Sequence, residues 1–322
     1  MGALNLAVTG ATGYLGRAVV AQARARGHRV RALLRDARQA PAGWADDPGI
    51  TLCQVVLEDL APSDLAGADA VLHLAAAMTG DDAAQAQATL APMRGLLAAM
   101  AQLRPVPRLV LAGSMSVYGG MQAGDTVTEN TPLEPAPSSR DAYTRAKLAQ
   151  EALARDHAQA TGGDVALLRI GAIWGPGRLW NGHLGLAFGP MLIRTGSSGQ
   201  IPLVQRDRAA AAVLRAAEAA PRGIAIANVL DPDLPDRARY VAAQRRGGWP
   251  RVVLPVGWPV MRALSVLGAL PGAPGLLRAS VQAARIMPLH YTTRADWQGD
   301  LPALPFEDAM AAALLAEEKI DA

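Results

Sequence analysis

The sequence predicts an α/β protein built on a doubly wound parallel sheet, with a smaller mixed C-terminal lobe, and three observations carry that expectation. Short apolar runs alternate with longer Ala-rich helical patterns through the first half of the chain. A glycine-spaced turn, "VTGATGYLG", directly follows the first of those runs. After about residue 172 the alternation breaks down into segments rich in Gly and Pro.

The strands are expected in "LNLAVTG", "RVRALLR", "ITLCQVV", "DAVLHLAA", "RLVLAGS" and "VALLRIG", with helix-length segments between them. That rhythm calls for parallel strands joined by right-handed crossovers. "WGPGRLWNGHLGLAFGP", "LDPDLPD" and "GGWPRVVLPVGWP" read as loops of a second lobe. One later run, "IAIANVL" at 224 to 230, is apolar enough to rejoin the sheet. The expected division is therefore 1–172, with 201–230 returning to it, against 173–200 and 231–322.

Length and composition bound the function. A chain of 322 residues, half of them hydrophobic and 18% charged, can bury a full core in roughly two lobes. The net charge of +3 comes from dispersed arginines without a run of like charge, which argues against nucleic acid as a partner. One cysteine, Cys53, excludes an intramolecular disulfide; set in "ITLCQVVL", it reads as a small buried hydrophobe. His28, His73, His157, His183 and His290 have no metal-ligand spacing, so no metal is expected. The N-terminus lacks the features of a signal peptide, and the most lipophilic late stretch, "VGWPVMRALSVLGALPGAPGLL", is interrupted by Pro and Arg262. No membrane span is expected, and a cytoplasmic location follows by default; that stretch can still line a pocket or touch a membrane surface.

The turn places Gly10, Gly13 and Gly16 between a strand and the helix pattern "RAVVAQARARG", which Gly27 closes. Such spacing permits a tight turn, close approach of a pyrophosphate to backbone, and close helix–strand packing, with the phosphates on the helix N-terminus. This is the signature of a Rossmann-type dinucleotide site. Where NAD-binding units place an acidic residue at the end of the second strand, "VRALLRDAR" places Arg35, whose fork suits a 2′-phosphate. NADP(H) is the expected cofactor, with Arg38 as a second contact. NAD stays open, because a one-residue shift of the turn brings Asp36 to the ribose.

Tyr143 and Lys147 stand four apart in a helical pattern and so share a face. An ammonium near a phenol favours the phenolate and makes it usable as a general acid or base near neutrality. The alternative, a solvated Tyr and Lys on an outer face, is harder to reconcile with a chain holding only two lysines and five tyrosines.

Taken together, "TGATGYLG", "LEDL" at 57 to 60, "HLAA" at 73 to 76, "GSMSVYG" at 113 to 119, "YTRAK" at 143 to 147 and "LRIGAIWGPG" at 168 to 177 resemble the extended short-chain dehydrogenase/reductase family, in its NAD(P)-dependent epimerase/dehydratase-like branch. Past residue 177 only "VQRDRAAAAVL", with Asp207, looks like a family element. The resemblance implies Tyr143 as acid/base, Lys147 as holder of the nicotinamide ribose, and Ser114, with Ser116 the weaker candidate, as hydrogen-bond partner of the reacting oxygen. It also implies dinucleotide contacts from Gly10, Thr12, Gly13, Tyr14, Leu15 and Gly16, from Asp59 and Leu60 at the adenine, and from Ala75. The family commonly pairs into homodimers through helices that would here lie at 81 to 102 and 141 to 160.

The chain departs from the family in places. Thr89 stands where an asparagine is common and Pro92 where a glycine is, which puts in doubt any relay or helix kink built on them. "GSMSVYG" lacks the Asp-Glu pair of the dehydratases, and Ala172 replaces an asparagine usual in sugar-nucleotide epimerases. The expectation is thus an NADP(H)-dependent reductase or dehydrogenase acting on a small or lipophilic carbonyl or alcohol. A nucleotide-sugar epimerase and a non-catalytic dinucleotide sensor are the competing readings. Trp174, Trp180, Trp249 and Trp258 are candidates to line a lipophilic substrate pocket.

Overall fold

The structure, a computed structural model, describes residues 2–196, 198–219, 222–269, 282, 285–293 and 301–321. All seven expected runs are strands of one parallel sheet. They are β1 (Asn5–Thr9), β2 (Arg29–Leu34), β3 (Ile50–Gln54), β4 (Ala70–His73) and β5 (Arg108–Ala112), followed after β6 (Thr126–Val127) by β7 (Val165–Ile170) and later by β12 (Ile224–Val229). The sheet order is β12-β7-β5-β4-β1-β2-β3, so the chain leaves β1 in one direction and, after β3, crosses to β4 on the other side. A crevice for a ligand opens where the order reverses, outside the C-terminal ends of β1 and β4.

These strands read as apolar runs because both faces are covered. Leu6, Val8, Ala32, Leu72, Val110 and Leu168 pack on one face with helices α1 (Tyr14–Ala25) and α5 (Arg206–Ala219). The alternate residues Ala7, Leu33, Val71, Leu109 and Leu167 pack on the other, with α3 (Ala91–Ala101) and α4 (Ala142–Thr161). Cys53, on the edge strand β3, is only half-buried against this second face.

A four-residue helix, α2 (Asp82–Gln85), runs into a π-helical turn, Ala86–Leu90, and then into α3. Pro92 accounts for the turn: it has no N–H for the carbonyl four residues back and its ring crowds that carbonyl, so the helix widens just before it. Thr89 does not hang idle in the asparagine's place. Its hydroxyl donates to Gln85 Oε1 at 2.8 Å and accepts from the Ala77 N–H at 3.0 Å, which pins the loop after β4 to this helix.

The segments read as loops contain short strands as well. β8 (Ala172–Trp174) pairs in parallel with β11 (Leu203–Gln205), and β9 (Gly185–Phe188) pairs antiparallel with β10 (Met191–Thr195), which pairs in parallel with β13 (Val252–Val256). β14 (His290–Tyr291) pairs with β6. The core of this second lobe is an aromatic stack: the Phe306 ring lies 5.4 Å from Trp174 and 5.2 Å from Tyr240, between α6 (Arg237–Gln244) and the helix Phe306–Asp321. Trp174, expected to line a pocket, is instead buried in this core, its indole N–H bonded to Asp231 at 2.8 Å. Trp180 and Trp249 meet edge to face at 5.5 Å beside an exposed groove, and Trp258 opens α7 (Trp258–Leu264).

The turn glycines test the architecture directly. A Cβ on Gly16 would fall 2.1 Å from the Gly10 carbonyl oxygen, whereas one on Gly27, at φ +79°, meets nothing. Gly16→Ala is therefore expected to cost about 1–3 kcal/mol in urea denaturation, and Gly27→Asn, whose side chain tolerates the left-handed region, well under about 1 kcal/mol. Equal costs would contradict the packing described.

Candidate active site

The site is built from the C-terminal ends of β1, β4 and β5 and the first turns of α1 and α4. At β1 the chain turns through Gly10 (φ +66°), whose missing Cβ would lie 2.8 Å from the Ala75 nitrogen. Only glycine lets this turn lie against the end of β4. Gly13, exposed and extended, is the N-cap of α1 and brings no side chain to the N–H groups of the first helical turn. Those groups have no intrahelical partner and carry the positive end of the helix dipole, so an anion is the natural acceptor. The cradle that a Cβ would fill, with uncapped donors beyond it, fits a dinucleotide pyrophosphate.

Below this turn, Thr9 and His73 join the two strands. The Thr9 hydroxyl accepts the N–H groups of Leu74 and Ala75 at 3.2 and 3.3 Å, so its own hydrogen goes to His73 Nδ1 at 2.9 Å. The ring proton then sits on Nε2, which faces the Gln150 amide at 3.3 Å. Gln150 Oε1 is buried without a partner among the described residues, and turning the amide over gives Nε2–H its acceptor. His73 is thus a neutral bridge from the sheet to α4; burial, helped by the nearby Lys147 charge, pushes its pKa down to about 3.

α4 begins at Asp141, whose carboxylate accepts the Thr144 N–H at 2.8 Å. One turn in, Tyr143 and Lys147 share a face, with the Lys147 ammonium 5.9 Å from the Tyr143 ring centroid. Lys147 is buried, donates to the Ala112 carbonyl at 2.9 Å, and is lowered by that burial to about 8. Two residues beyond Ala112, Ser114 accepts the Ser116 N–H at 3.2 Å and hydrogen-bonds Tyr143. The structure thus brings Ser114, Tyr143 and Lys147 together at the end of β5.

The expected depression of the tyrosine's pKa is corrected here. Burial raises the Tyr143 phenol above its ordinary value, Ser114 offsets part of this, and Asp141 adds to it. A lysine that is itself desolvated and engaged by a carbonyl does not outweigh the loss of water around a phenolate.

Other expected contacts fall around the same crevice. Asp59 is exposed at the end of a single 3-10 turn, Leu57–Asp59, followed by buried Leu60. That turn crosses α3 at Gly95, where a Cβ would lie 2.2 Å from the Leu57 carbonyl oxygen. At the end of β2, Arg35 is exposed and without a side-chain partner among the described residues, while Asp36 accepts the backbone N–H and the Nε–Nη2 edge of the Arg38 guanidinium, each at 3.0 Å. Arg38 is thereby turned onto its own loop. The half-buried Tyr14 donates to the Pro176 carbonyl at 3.0 Å, with Arg178 and Arg206 over its ring, so its side chain braces the second lobe. Thr12 offers its carbonyl to Arg17 at 2.8 Å, and half-buried Leu15 packs on the core beneath.

Sequence reasoning missed Arg140 and the His73–Gln150 bridge. Buried Arg140 donates to the carbonyls of Ser116 and Tyr118 at 3.0 Å each and to Glu134 at 2.9 Å, which fixes the loop after Ser114. Nothing in "SSRDAYT" marks it. Ser116 Oγ is buried and has no hydrogen-bond partner among the described residues.

Comparison with known proteins agrees with this geometry. Residues 6–207 match the NAD dependent epimerase/dehydratase family. The chain belongs to that family. A reductase from Streptomyces sp, the 3-diazoavenalumate denitrifying reductase, is 29% identical over 282 residues, spanning 79% of this chain and 88% of its own. Among solved structures, MoeE5 in complex with UDP-glucose and NAD superposes with a TM-score of 0.69 at 20% identity, covering 99% of this chain and all of that one. The UDP-N-acetylglucosamine 4-epimerase from Bacillus cereus does so at 0.69 and 19%, covering 98% of this chain and all of its own. At such identities these likenesses show the fold.

A neutral buried histidine has a measurable consequence. His73 and His183 are both held near 3, so below pH 6.5 the unfolded chain takes up protons that the folded chain refuses, and stability falls as pH falls towards 3. His73→Gln is expected to reduce the slope of unfolding free energy between about pH 6 and 4 by about 1.4 kcal/mol per unit. An unchanged slope would mean that His73 is charged or solvated in the folded protein.

Proposed function

We propose that this protein is an NADP(H)-dependent oxidoreductase that interconverts a carbonyl and an alcohol on a small or lipophilic substrate. The observation that carries the reading is the Ser114, Tyr143 and Lys147 cluster beside a crevice whose glycine turn has the close backbone approach that suits a pyrophosphate. Residues 1–172 with 201–230 would hold the dinucleotide, and 173–200 with 231–322 the substrate.

The Gly10–Gly16 turn would hold the dinucleotide, and NADPH bound there would supply the hydride. The residues of the chain manage the proton and the oxygen. Burial keeps Tyr143 protonated at neutral pH, which suits it to give its hydroxyl proton to the substrate oxygen as that oxygen gains charge. Ser114 Oγ donates to the same oxygen and steadies it. Lys147 stabilises the phenolate left behind, and its value of about 8 leaves it charged over most of the neutral range.

The proposed 2′-phosphate preference rests on Arg35, exposed at the end of β2 and without a side-chain partner among the described residues, and on Asp36, whose carboxylate is already engaged by Arg38. The relatedness to a protein named a reductase supports the direction of chemistry. A nucleotide-sugar epimerase is the second reading, favoured by the likeness to epimerase folds, but Ala172 offers no side-chain hydrogen bond to a sugar nucleotide.

Cofactor consumption by the purified protein separates the two, since an oxidoreductase oxidises NADPH in step with a carbonyl panel, whereas an epimerase converts UDP-sugars with no net change. Tyr143→Phe should lower kcat by about a hundredfold or more while NADPH binding is kept; full turnover by this variant would remove the assigned acid. Arg35→Asp should shift the NADPH/NADH preference by about tenfold or more towards NADH, and no shift would return the ribose contact to Asp36.

A further inference from the structure

Charge is segregated along the chain around the second lobe, whose ten acidic residues all lie within 231–236 and 296–321. Residues 165–206 and 237–295 hold thirteen arginines and not one Asp or Glu, although the rest of the chain carries all 28 acidic residues against 18 basic ones. Several of these arginines are used internally: Arg237 is buried against the carbonyls of His183, Ser198 and Arg285, and Arg245 reaches those of Pro250 and Arg251. Arg246, Arg251 and Arg262 are exposed, and their guanidinium groups have no partner among the described residues.

The same lobe exposes an apolar face whose origin is the strand register. Phe188 pairs with Met191 and Leu186 with Ile193 across β9 and β10, and Met191 pairs with Val252 and Ile193 with Leu254 across β10 and β13. Paired residues point to one side of a sheet, so these six side chains form one continuous face. The opposite side is the inward one, where Leu192 is fully buried and Val253 packs on the lobe core. On the outward side Phe188, Val252 and Leu254 are about half-exposed, at 53%, 50% and 48%. The chain runs directly from β13 into α7 and the 3-10 turn after it, which add Val260, Val266 and Leu267 to the exposed apolar groups. Arg251 stands at the start of β13, its N–H on the Pro190 carbonyl at the β9–β10 turn, and Arg262 stands in α7.

We propose that this face docks the protein on an anionic lipid surface. The sheet face measures only about 16 by 10 Å from its strand lengths and spacings, far below the roughly 800 Å² per partner of a stable protein interface. A second copy would also set arginines against arginines. A bilayer interface needs no matching surface: it takes a few apolar side chains at the headgroup boundary, and its phosphates meet the exposed guanidinium groups. No described helix is long and apolar enough to cross a membrane, so the contact is peripheral.

Sedimentation with vesicles tests this, using equal parts phosphatidylglycerol and phosphatidylcholine against phosphatidylcholine alone. The full chain is expected to pellet with the anionic vesicles at low salt and to be released as salt shortens the Debye length to about 10 Å at 0.1 M. Phe188→Ser with Leu254→Ser should weaken partitioning by at least about tenfold. Arg251→Gln with Arg262→Gln should weaken binding to the anionic vesicles by about tenfold or more. All four positions are exposed, so the thermal melt should match that of the unaltered protein. Absence of pelleting at low salt, or pelleting indifferent to both double variants, would overturn the proposal. So would a dimer in light scattering that Phe188→Ser with Leu254→Ser disperses, or binding to polyglutamate without binding to vesicles, which would assign the face to a second copy or to an acidic protein.

Discussion

The approach of the turn after β1 to the end of β4 is the constraint on which the site depends. Gly10 occupies a left-handed conformation with the Ala75 backbone where a side chain would be, and the Thr9 hydroxyl binds the next two N–H groups of that strand. With the strand ends so joined while their connections depart to opposite sides of the sheet, the crevice between them has a rigid floor and a wall of helix N-terminal donors. Thr9 then donates its hydrogen to His73, and His73 reaches Gln150, so the glycine turn and α4 are referred to one another through two hydrogen bonds.

That coupling matters to the proposed reaction because the groups proposed to handle the proton sit on a different element from the glycine turn. Tyr143 and Lys147 belong to α4 and Ser114 to the end of β5, and the Lys147 bond to Ala112 ties helix to strand. Burial raises the phenol and lowers the ammonium, so both groups are pushed towards their neutral forms. In the proposed reaction a neutral phenol beside a serine hydroxyl would serve as a proton donor to an oxyanion.

Much of this was legible in the residues. The seven strands of the large sheet stand out because burial on both faces leaves nearly unbroken apolar runs, and the glycine turn and the Tyr143–Lys147 spacing carry their own geometry. The strands of the second lobe did not stand out. β8, β9 and β11 are three or four residues long and lie among Gly and Pro, and β13 contains Pro255, a residue that edge strands tolerate and that reads as loop. The π-turn could have been inferred from Pro92 inside an otherwise helical stretch. The bridge through His73 could not, because a single histidine in an apolar strand gives no sign of which helix it will meet. The sign of the Tyr143 shift was misjudged for a related reason: spacing shows that an ammonium is near, but not how much water both groups lose.

A crystal structure of the protein with NADPH bound is the most direct test of the central claim. The account predicts the pyrophosphate on the N–H groups after Gly10, the 2′-phosphate within reach of Arg35, and the reactive face of the nicotinamide turned to the hydroxyls of Ser114 and Tyr143. A dinucleotide bound elsewhere, or a Tyr143 hydroxyl turned away from the nicotinamide, would contradict it.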